Sequence, residues 1–349
     1  MSGEINIGLA QINVVVGAIE NNVDKIIEFA RRAKDEHQCD LMICSELVLT
    51  GYPPEDLLMR PGFNSRVQQE LQRLCDTVTD IDLVIGYPKR DADGYFNIGA
   101  LIQGGKVTHE YRKIKLPNYA VFDEKRYFDA GSKPCVIEYH DIVLGLTVCE
   151  DIWHEGPVEE SVASGAELII NINGSPYHMN KIPERRKIVC DKAVKVGAPI
   201  IYVNQVGGQD ELVFDGASFA VDEQGDVIHQ MDSFKESLSV VTVSSDFKGL
   251  RIKGTELVPE AEPLESIYQA LVTGVRDYVQ KNGFRSVVIG LSGGIDSALT
   301  TTIAVDALGK ENVDAIMMPF RYTSDMSKED AFLEAEALGI NYHVISIEP

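Results

Sequence analysis

Long apolar runs are missing from this 349-residue chain, and with them any stretch able to cross a bilayer as a helix. The opening residues, Met1-Ser-Gly-Glu-Ile-Asn, carry neither the basic nor the apolar region of a secretory signal, so a cytoplasmic location is expected. Positive charge is scarce: 32 Lys and Arg stand against 54 Asp and Glu, a formal net charge of -22. That balance disfavours a nucleic-acid backbone or an anionic membrane surface as partner. Metal-type pairing is also missing. The 6 cysteines and 7 histidines are scattered, with no Cys-x-x-Cys or His-x-x-x-His, so a zinc site has no support and free thiols are expected. No internal repeat or low-complexity tract interrupts the chain. What is present is an acidic globular sequence, 44% hydrophobic and too long for one typical domain.

Short Val/Ile/Leu-rich runs at 5–12, 41–44 and 83–87 alternate with helical stretches at 23–33 and 67–78, an α/β pattern. Runs at 98–102 and 107–111 flank Gln103-Gly-Gly-Lys106, and runs at 219–221 and 227–229 flank Asp222-Glu-Gln-Gly-Asp226. Both read as hairpins, so the sheet is mixed. Further strands are expected at 142–148, 168–172 and 200–203, with a charged helix at 182–196. This first domain spans 1–245. Gly, Pro and charge then mark 246–263 as a linker, and 264–349 form a second domain. In it, apolar residues at helical spacing from Leu264 precede strand 287–291, helix 298–308, strand 313–318, a helix opened by a capping box at Ser327-Lys-Glu-Asp330, and a last strand at 342–347. Three parallel strands are fewer than a doubly wound core uses, so this domain is expected to be incomplete at Pro349.

The strand at 287–291 empties into Ser292-Gly-Gly-Ile-Asp-Ser297 and then a helix, which has the makings of a phosphate cradle. Adjacent glycines permit close backbone approach, the hydroxyls of Ser292 and Ser297 add donors, and a helix start supplies N–H groups and a positive dipole end. Asp296 would repel phosphate, so its expected role is to hold the magnesium that rides on ATP. No lysine stands inside the loop, unlike a P-loop.

Three strand ends in the first domain carry reactive side chains. Cys149 follows the apolar run Val143-Leu-Gly-Leu-Thr-Val148, Glu46 follows Leu41-Met-Ile-Cys-Ser45, and Lys113 follows the run at 107–111. Strand ends are where α/β domains place chemistry. A thiol, a carboxylate and an amine make a nucleophile, a proton carrier and an oxyanion partner, and a lysine beside the thiol favours the thiolate.

These motifs, Ser45-Glu46 before Gly51-Tyr52, Tyr111-Arg112-Lys113 before Leu116-Pro117, and Val148-Cys149-Glu150-Asp151, resemble the nitrilase superfamily over about residues 1–245. The resemblance implies an α-β-β-α sandwich in which Glu46 is the general base, Lys113 stabilises the tetrahedral intermediate and Cys149 becomes the acyl-enzyme. Lys115 is the rival lysine, and Glu124 resembles a second glutamate that props the lysine. Ser292-Gly-Gly-Ile-Asp-Ser297 resembles the loop of the ATP pyrophosphatases. That implies the start of a doubly wound parallel-sheet, adenine nucleotide alpha hydrolase-like domain, with Gly290, Leu291, Ser292, Gly293, Gly294, Ile295, Asp296 and Ser297 binding ATP and Asp296 binding Mg2+. Together with Met318-Pro-Phe-Arg-Tyr-Thr-Ser324 and Leu116-Pro-Asn-Tyr119, the whole chain resembles the glutamine-dependent NAD synthetases. This implies glutamine, ATP and deamido-NAD as substrates, a homo-oligomer, and glutamine held by Tyr119, Ser175 and Lys181. Residues gripping deamido-NAD are expected beyond Pro349. The competing expectation is a stand-alone amidase with a regulatory nucleotide-binding domain.

Overall fold

The computed structural model describes residues 4–246 and 249–348. The chain forms two compact units: one runs up to Gly207 and from Phe214 to Ala261, and the other comprises Gly208–Val213 and the residues from Glu262 on.

In the first unit, β1 (Glu4–Gln11), α1 (Ile19–His37), β2 (Leu41–Ile43), α2 (Pro61–Thr77) and β3 (Asp82–Arg90) alternate, so β1, β2 and β3 lie parallel. β4 (Tyr95–Gln103) and β5 (Lys106–Arg112) then extend the sheet as antiparallel hairpins. A second sheet takes β6 (Cys135–Tyr139) and β7 (Ile142–Val148), then α3 (Pro157–Ala163), β8 (Leu168–Asn173), α4 (Lys181–Val196) and β9 (Ile200–Asn204). After the hairpin of β10 (Val206–Gln209) and β11 (Leu212–Asp215), β12 (Phe219–Val221) and β13 (Val227–Gln230) complete it. β14 (Ser237–Asp246) and β15 (Gly249–Gly254) return to the first sheet. The orders are β15-β14-β1-β2-β3-β4-β5 and β13-β12-β9-β8-β7-β6.

Alternation along the strands decides which side chains fill the middle. Leu144, Leu146 and Val148 of β7 with Ile170 and Ile172 of β8 meet Ile7, Leu9, Val241 and Val243 of the first sheet in one buried core. The intervening Ile169, Ile200, Tyr202 and Phe219 pack instead with Val158 of α3 and Val189 and Ala193 of α4. On the first sheet's outer side, α1 buries Ile19, Val23, Ile26, Ala30 and Ala33 at helical spacing. The result is the expected α-β-β-α sandwich.

The second unit is α5 (Pro263–Lys281) followed by β16 (Val287–Gly290), α6 (Ile295–Leu308), β17 (Val313–Met317), α7 (Asp325–Leu338) and β18 (Asn341–Val344), with the three strands parallel. Its cores are small: Leu291, Ala315, Met317, Ala331 and Ala335 in one, and Val272, Ile303 and Ala307 in the other.

Several local expectations need revision. The stretch 246–263 contains β15, paired antiparallel with β14; only its alternate residues Leu250 and Ile252 pack on the core, which leaves too little apolar pattern to see. The strands β6 and β14 and the β10–β11 hairpin are additional to the sequence reading. α7 opens at Asp325, and its cap is Ser324, whose hydroxyl accepts from the N–H of Ser327 at 3.1 Å. Ser327 is thus the third helical residue and its own side chain caps nothing. Helix α6 likewise starts at Ile295, earlier than the sequence pattern suggests, so Asp296 and Ser297 lie in its first turn.

Ile170 is fully buried between the sheets. Ile170→Ala should lower the unfolding free energy of this unit by about 2–5 kcal/mol, read from the urea midpoint. A loss below about 1 kcal/mol would show that the inter-sheet core relaxes around the cavity.

Candidate active site

Sandwich geometry brings the three strand ends together from two sheets. Glu46 lies just past β2 and Lys113 directly past β5 in the first sheet, whereas Cys149 directly follows β7 in the second. Within the first sheet, β3 and β4 separate β2 from β5. The chain after β2 must therefore cross β3 for Glu46 to reach Lys113, and Gly86 of β3 leaves the room. A Cβ there would stand 2.3 Å from the Leu47 nitrogen and 2.8 Å from the Glu46 Cα.

Lys113 is fully buried, and its Nζ donates to Glu46 Oε1 at 2.7 Å and to Glu124 Oε1 at 2.8 Å. Burial works against its charge, but Glu124 and Glu46 hold it well above the ordinary lysine value, so it remains an ammonium. Glu46 is held on both oxygens. Oε1 also accepts from Asn97 Nδ2 at 2.7 Å, and Oε2 accepts from the Gly174 N–H at 2.9 Å. Asn97 steadies the lysine as well, since its carbonyl accepts from the Lys113 backbone N–H at 2.9 Å. Tyr52 donates its hydroxyl to Glu124 Oε1 at 2.9 Å. Burial raises the Glu124 carboxyl to about 7, with Lys113 opposing and Glu46 adding to the rise.

The thiol of Cys149 is buried among these groups. Burial pushes it well above the ordinary cysteine value, Glu46 pushes it further, and Lys113 pulls the other way. Lys113 thus favours the thiolate, as expected, but burial and Glu46 outweigh it. The Lys113 ammonium is also bonded to Glu46 and Glu124. The backbone at Cys149 has φ +45°, a left-handed conformation uncommon for a residue with a Cβ, at the start of a 3-10 turn Cys149–Ile152. Lys115, the rival lysine, contributes its backbone N–H to Asp151 Oδ1 at 2.8 Å.

The remaining expected residues ring this core. Tyr119, about half exposed, donates to both Glu150 oxygens at 3.1 and 3.0 Å, and His154 Nε2 donates to Glu150 Oε1 at 2.8 Å. Ser175 is buried directly after Gly174; its N–H donates to Asn204 Oδ1, while its carbonyl and hydroxyl accept from Arg185 at 3.3 Å. Arg185 is in turn locked to Asp215 at 3.1 Å, both buried. Lys181 opens α4 with its Nζ 3.9 Å from the centre of the Trp153 ring and 3.3 Å from Glu184. Sequence reading missed Asn97, Arg185, Asp215 and the Glu150 and His154 side chains. Asn97 did leave a signal, a single amide inside the apolar run Tyr95-Phe-Asn-Ile-Gly-Ala-Leu-Ile102.

In the second unit the cradle residues follow β16. The side chain of Leu291 lies in the core, and Ile295 and Asp296 are exposed. The two serines shape the loop. Ser297 Oγ accepts from the Ser292 N–H at 3.1 Å, donates to the Gly294 carbonyl at 2.9 Å, and lies 3.0 Å from Ser292 Oγ. The glycines differ: a Cβ on Gly293 would lie 2.1 Å from the Ser327 carbonyl oxygen, whereas one on Gly294 would meet only Ser292 Oγ at 3.5 Å. Gly293 is therefore required by packing on α7, and Gly294 keeps an open face.

The carbon-nitrogen hydrolase family model matches residues 6–251. The chain belongs to the carbon-nitrogen hydrolase family. Residues 267–349 match the NAD synthase family model. The chain is 41% identical to the glutamine-dependent NAD(+) synthetase of Xylella fastidiosa (strain 9a5c), over 100% of this chain and 64% of that protein. It thus spans about 64% of the length of the curated relatives it matches. Among solved structures, glutamine-dependent NAD+ synthetase from Acinetobacter baumannii in complex with adenosine diphosphate superposes with a TM-score of 0.95 at 42% identity, covering 99% of this chain and 65% of that one. A glutamate-to-glutamine mutant of the amidase from Nesterenkonia sp. AN1, with the acetamide moiety of fluoroacetamide on its active-site cysteine, aligns with a TM-score of 0.62 at 25% identity, over 69% of this chain and 89% of that one. Fold and family therefore agree with the sandwich.

Because Glu124 titrates near 7 when folded and near 4.5 when unfolded, the folded state binds the extra proton between those values. Stability from this group is present at low pH and is lost as pH rises through the window. The unfolding midpoint of Glu124→Gln relative to the parent should therefore rise from pH 5 to pH 7 and level off above. A gap that stays flat or shrinks would mean that Glu124 is ionised throughout.

Proposed function

We propose that this chain is the glutamine-hydrolysing part, with the ATP loop, of a glutamine-dependent NAD+ synthetase. The observation that carries the reading is a buried thiol beside a Glu46–Lys113–Glu124 set, in a chain whose relatives match it across both units. A stand-alone amidase with a regulatory nucleotide domain is less supported, because those relatives align over the second unit as well.

In the proposed reaction Cys149 Sγ attacks the side-chain carbonyl carbon of glutamine while Glu46 takes the thiol proton. A lysine ammonium has three N–H donors. With two engaged by carboxylates, the third would meet the oxyanion, and the Glu150 backbone N–H would be its second donor. Collapse breaks the C–N bond, Glu46 returns the proton to the departing ammonia, and a thioester remains on Cys149. Water then attacks the thioester carbon and gives its proton to Glu46; the C–S bond breaks, glutamate is released, and Glu46 returns the proton to Cys149 Sγ. Glu150, buried at the nucleophile and oriented by Tyr119 and His154, has the charge to receive the α-ammonium of glutamine. Lys181 has the charge for the α-carboxylate, and Ser175 would line the same pocket.

Ammonia would then amidate an adenylylated deamido-NAD. The nicotinate carboxylate attacks the α-phosphate of ATP, pyrophosphate leaves, and ammonia displaces AMP to give NAD. Gly290, Leu291, Ser292, Gly293, Gly294, Ile295, Asp296 and Ser297 would form the cradle, and the open face of Gly294 supports a phosphate there. Among the described residues no three metal-ligating side chains converge. Asp296 alone suits a magnesium carried by nucleotide phosphates, which needs one or two protein carboxylates. The ion would neutralise phosphate charge. No helix among the described residues is long and apolar enough to cross a membrane. A cytoplasmic location and a homo-oligomeric state complete the proposal.

The test is glutamate release from glutamine, together with NAD formation from deamido-NAD, ATP and glutamine by a polypeptide extended to its relatives' length. Cys149→Ala should abolish glutamate release and spare NAD formation from free ammonia. Turnover of other amides but not glutamine would favour the amidase instead.

The two glycines should fail differently. Gly294→Ala should keep the thermal midpoint within about 2 °C and weaken ATP binding at least about tenfold, because within the chain the added methyl meets only Ser292 Oγ, at an ordinary 3.5 Å, and otherwise stands where the ligand would lie. Gly293→Ala should lower the midpoint itself. Equal ATP affinity for Gly294→Ala and the parent would remove the phosphate from that face.

A further inference from the structure

Asp151 is fully buried two residues after the nucleophile, and nothing in the proposed reaction uses it. Its carboxylate accepts four hydrogen bonds from two strand ends. Oδ1 accepts from the backbone N–H of Ile114 at 3.2 Å and of Lys115 at 2.8 Å, and Oδ2 accepts from the N–H of Val148 at 3.0 Å and the hydroxyl of Tyr111 at 2.9 Å. Tyr111, Ile114 and Lys115 bracket Lys113 on the first sheet, and Val148 immediately precedes Cys149 on the second. One side chain thus ties the segment carrying the ammonium to the segment carrying the thiol.

We infer that Asp151 is a positioning residue that sets the distance and orientation between Cys149 and Lys113 and holds the left-handed turn at Cys149. Three backbone N–H groups, that of Val148 buried and those of Ile114 and Lys115 partly so, are satisfied by one anion, an arrangement that fixes both segments at once. The bond to Val148 reaches back across the turn that places Cys149 at φ +45°, and so offsets the cost of that conformation. The Lys113–Glu46 pair reaches the second sheet at the Gly174 N–H beyond β8 rather than at the end of β7, which carries the thiol. Asp151 reaches the end of β7 itself, at Val148. Burial raises its carboxyl to about 6, with the backbone donors of Val148 and Lys115 opposing the rise.

An amide at this position keeps the shape but presents an N–H2 group to one pair of donors. A displacement of the reacting groups by about 1 Å can cost about a hundredfold in rate without changing substrate binding. This inference rests on the glutaminase reading, so the experiment separates the two. Turnover of glutamine by the parent chain tests that reading. The ratio of Asp151→Asn to parent tests the inference, in two assays. With glutamine, kcat should fall at least about a hundredfold while KM stays within about threefold. Independently of the amide substrate, the acylation burst with 4-nitrophenyl acetate, which needs the oxyanion partners, should slow at least about thirtyfold, while alkylation of Cys149 by iodoacetamide, which does not, should stay within about threefold. If both Cys149 reactions are unchanged, or both fall together in a folded protein, Asp151 is not positioning the pair. Should Asp151→Asn fail to fold, Tyr111→Phe decides, since it removes a single donor. A fall of about three- to tenfold in the burst with unchanged alkylation supports the role. A lower melting temperature with an unchanged burst overturns it.

Discussion

A lysine ammonium that has no solvent exposure and lies between two carboxylates is the constraint around which the first unit is built. An isolated charge at that depth would cost far more than a fold can supply, so its partners must be present and held. Glu46 is held by Asn97 and the Gly174 N–H, and Glu124 by Tyr52. Each of those supports comes from a different part of the chain. The first unit therefore cannot relax one element without stranding a charge.

The same constraint bears on the thiol of Cys149. Burial and Glu46 hold Cys149 toward the thiol, against the pull of Lys113. An activated thiolate in the absence of substrate would be exposed to oxidation and alkylation. A buried thiol is less prone to both. The buried pair Arg185–Asp215 repeats the principle beside Ser175, where a charge is tolerated because its partner is equally buried.

The two units differ in how much apolar surface they gather into cores. In the first, the strands of both sheets alternate between a shared inner core and helix-covered outer faces. In the second, three parallel strands carry two small clusters, and Leu264, Val288 and Val344 remain exposed. The loop after β16 is nevertheless held in shape. Its two serines bond the loop to itself, and Gly293 lets it pack on the start of α7.

Much of this was legible in the sequence. The alternation of apolar runs and helices gave the α/β class, and the strand-end positions of Glu46, Lys113 and Cys149 are local properties that a pattern of residues can carry. The sequence by itself also determined the Gly-Gly turn after β16, because that conformation excludes most side chains at Gly293. What only the tertiary structure decided is which groups share a charge. That Lys113 is paired with Glu46 and Glu124, that Asn97 holds both Glu46 and the Lys113 backbone, and that Asp151 joins the two sheets' strand ends depends on contacts between residues distant along the chain and contributed by separate strands and loops. Electrostatic state follows distance in space and exclusion of water, and neither is encoded in the neighbourhood of a residue along the chain. Edge strand β15 escaped for a related reason: with two core-facing residues, its identity rests on pairing with β14 rather than on its own pattern.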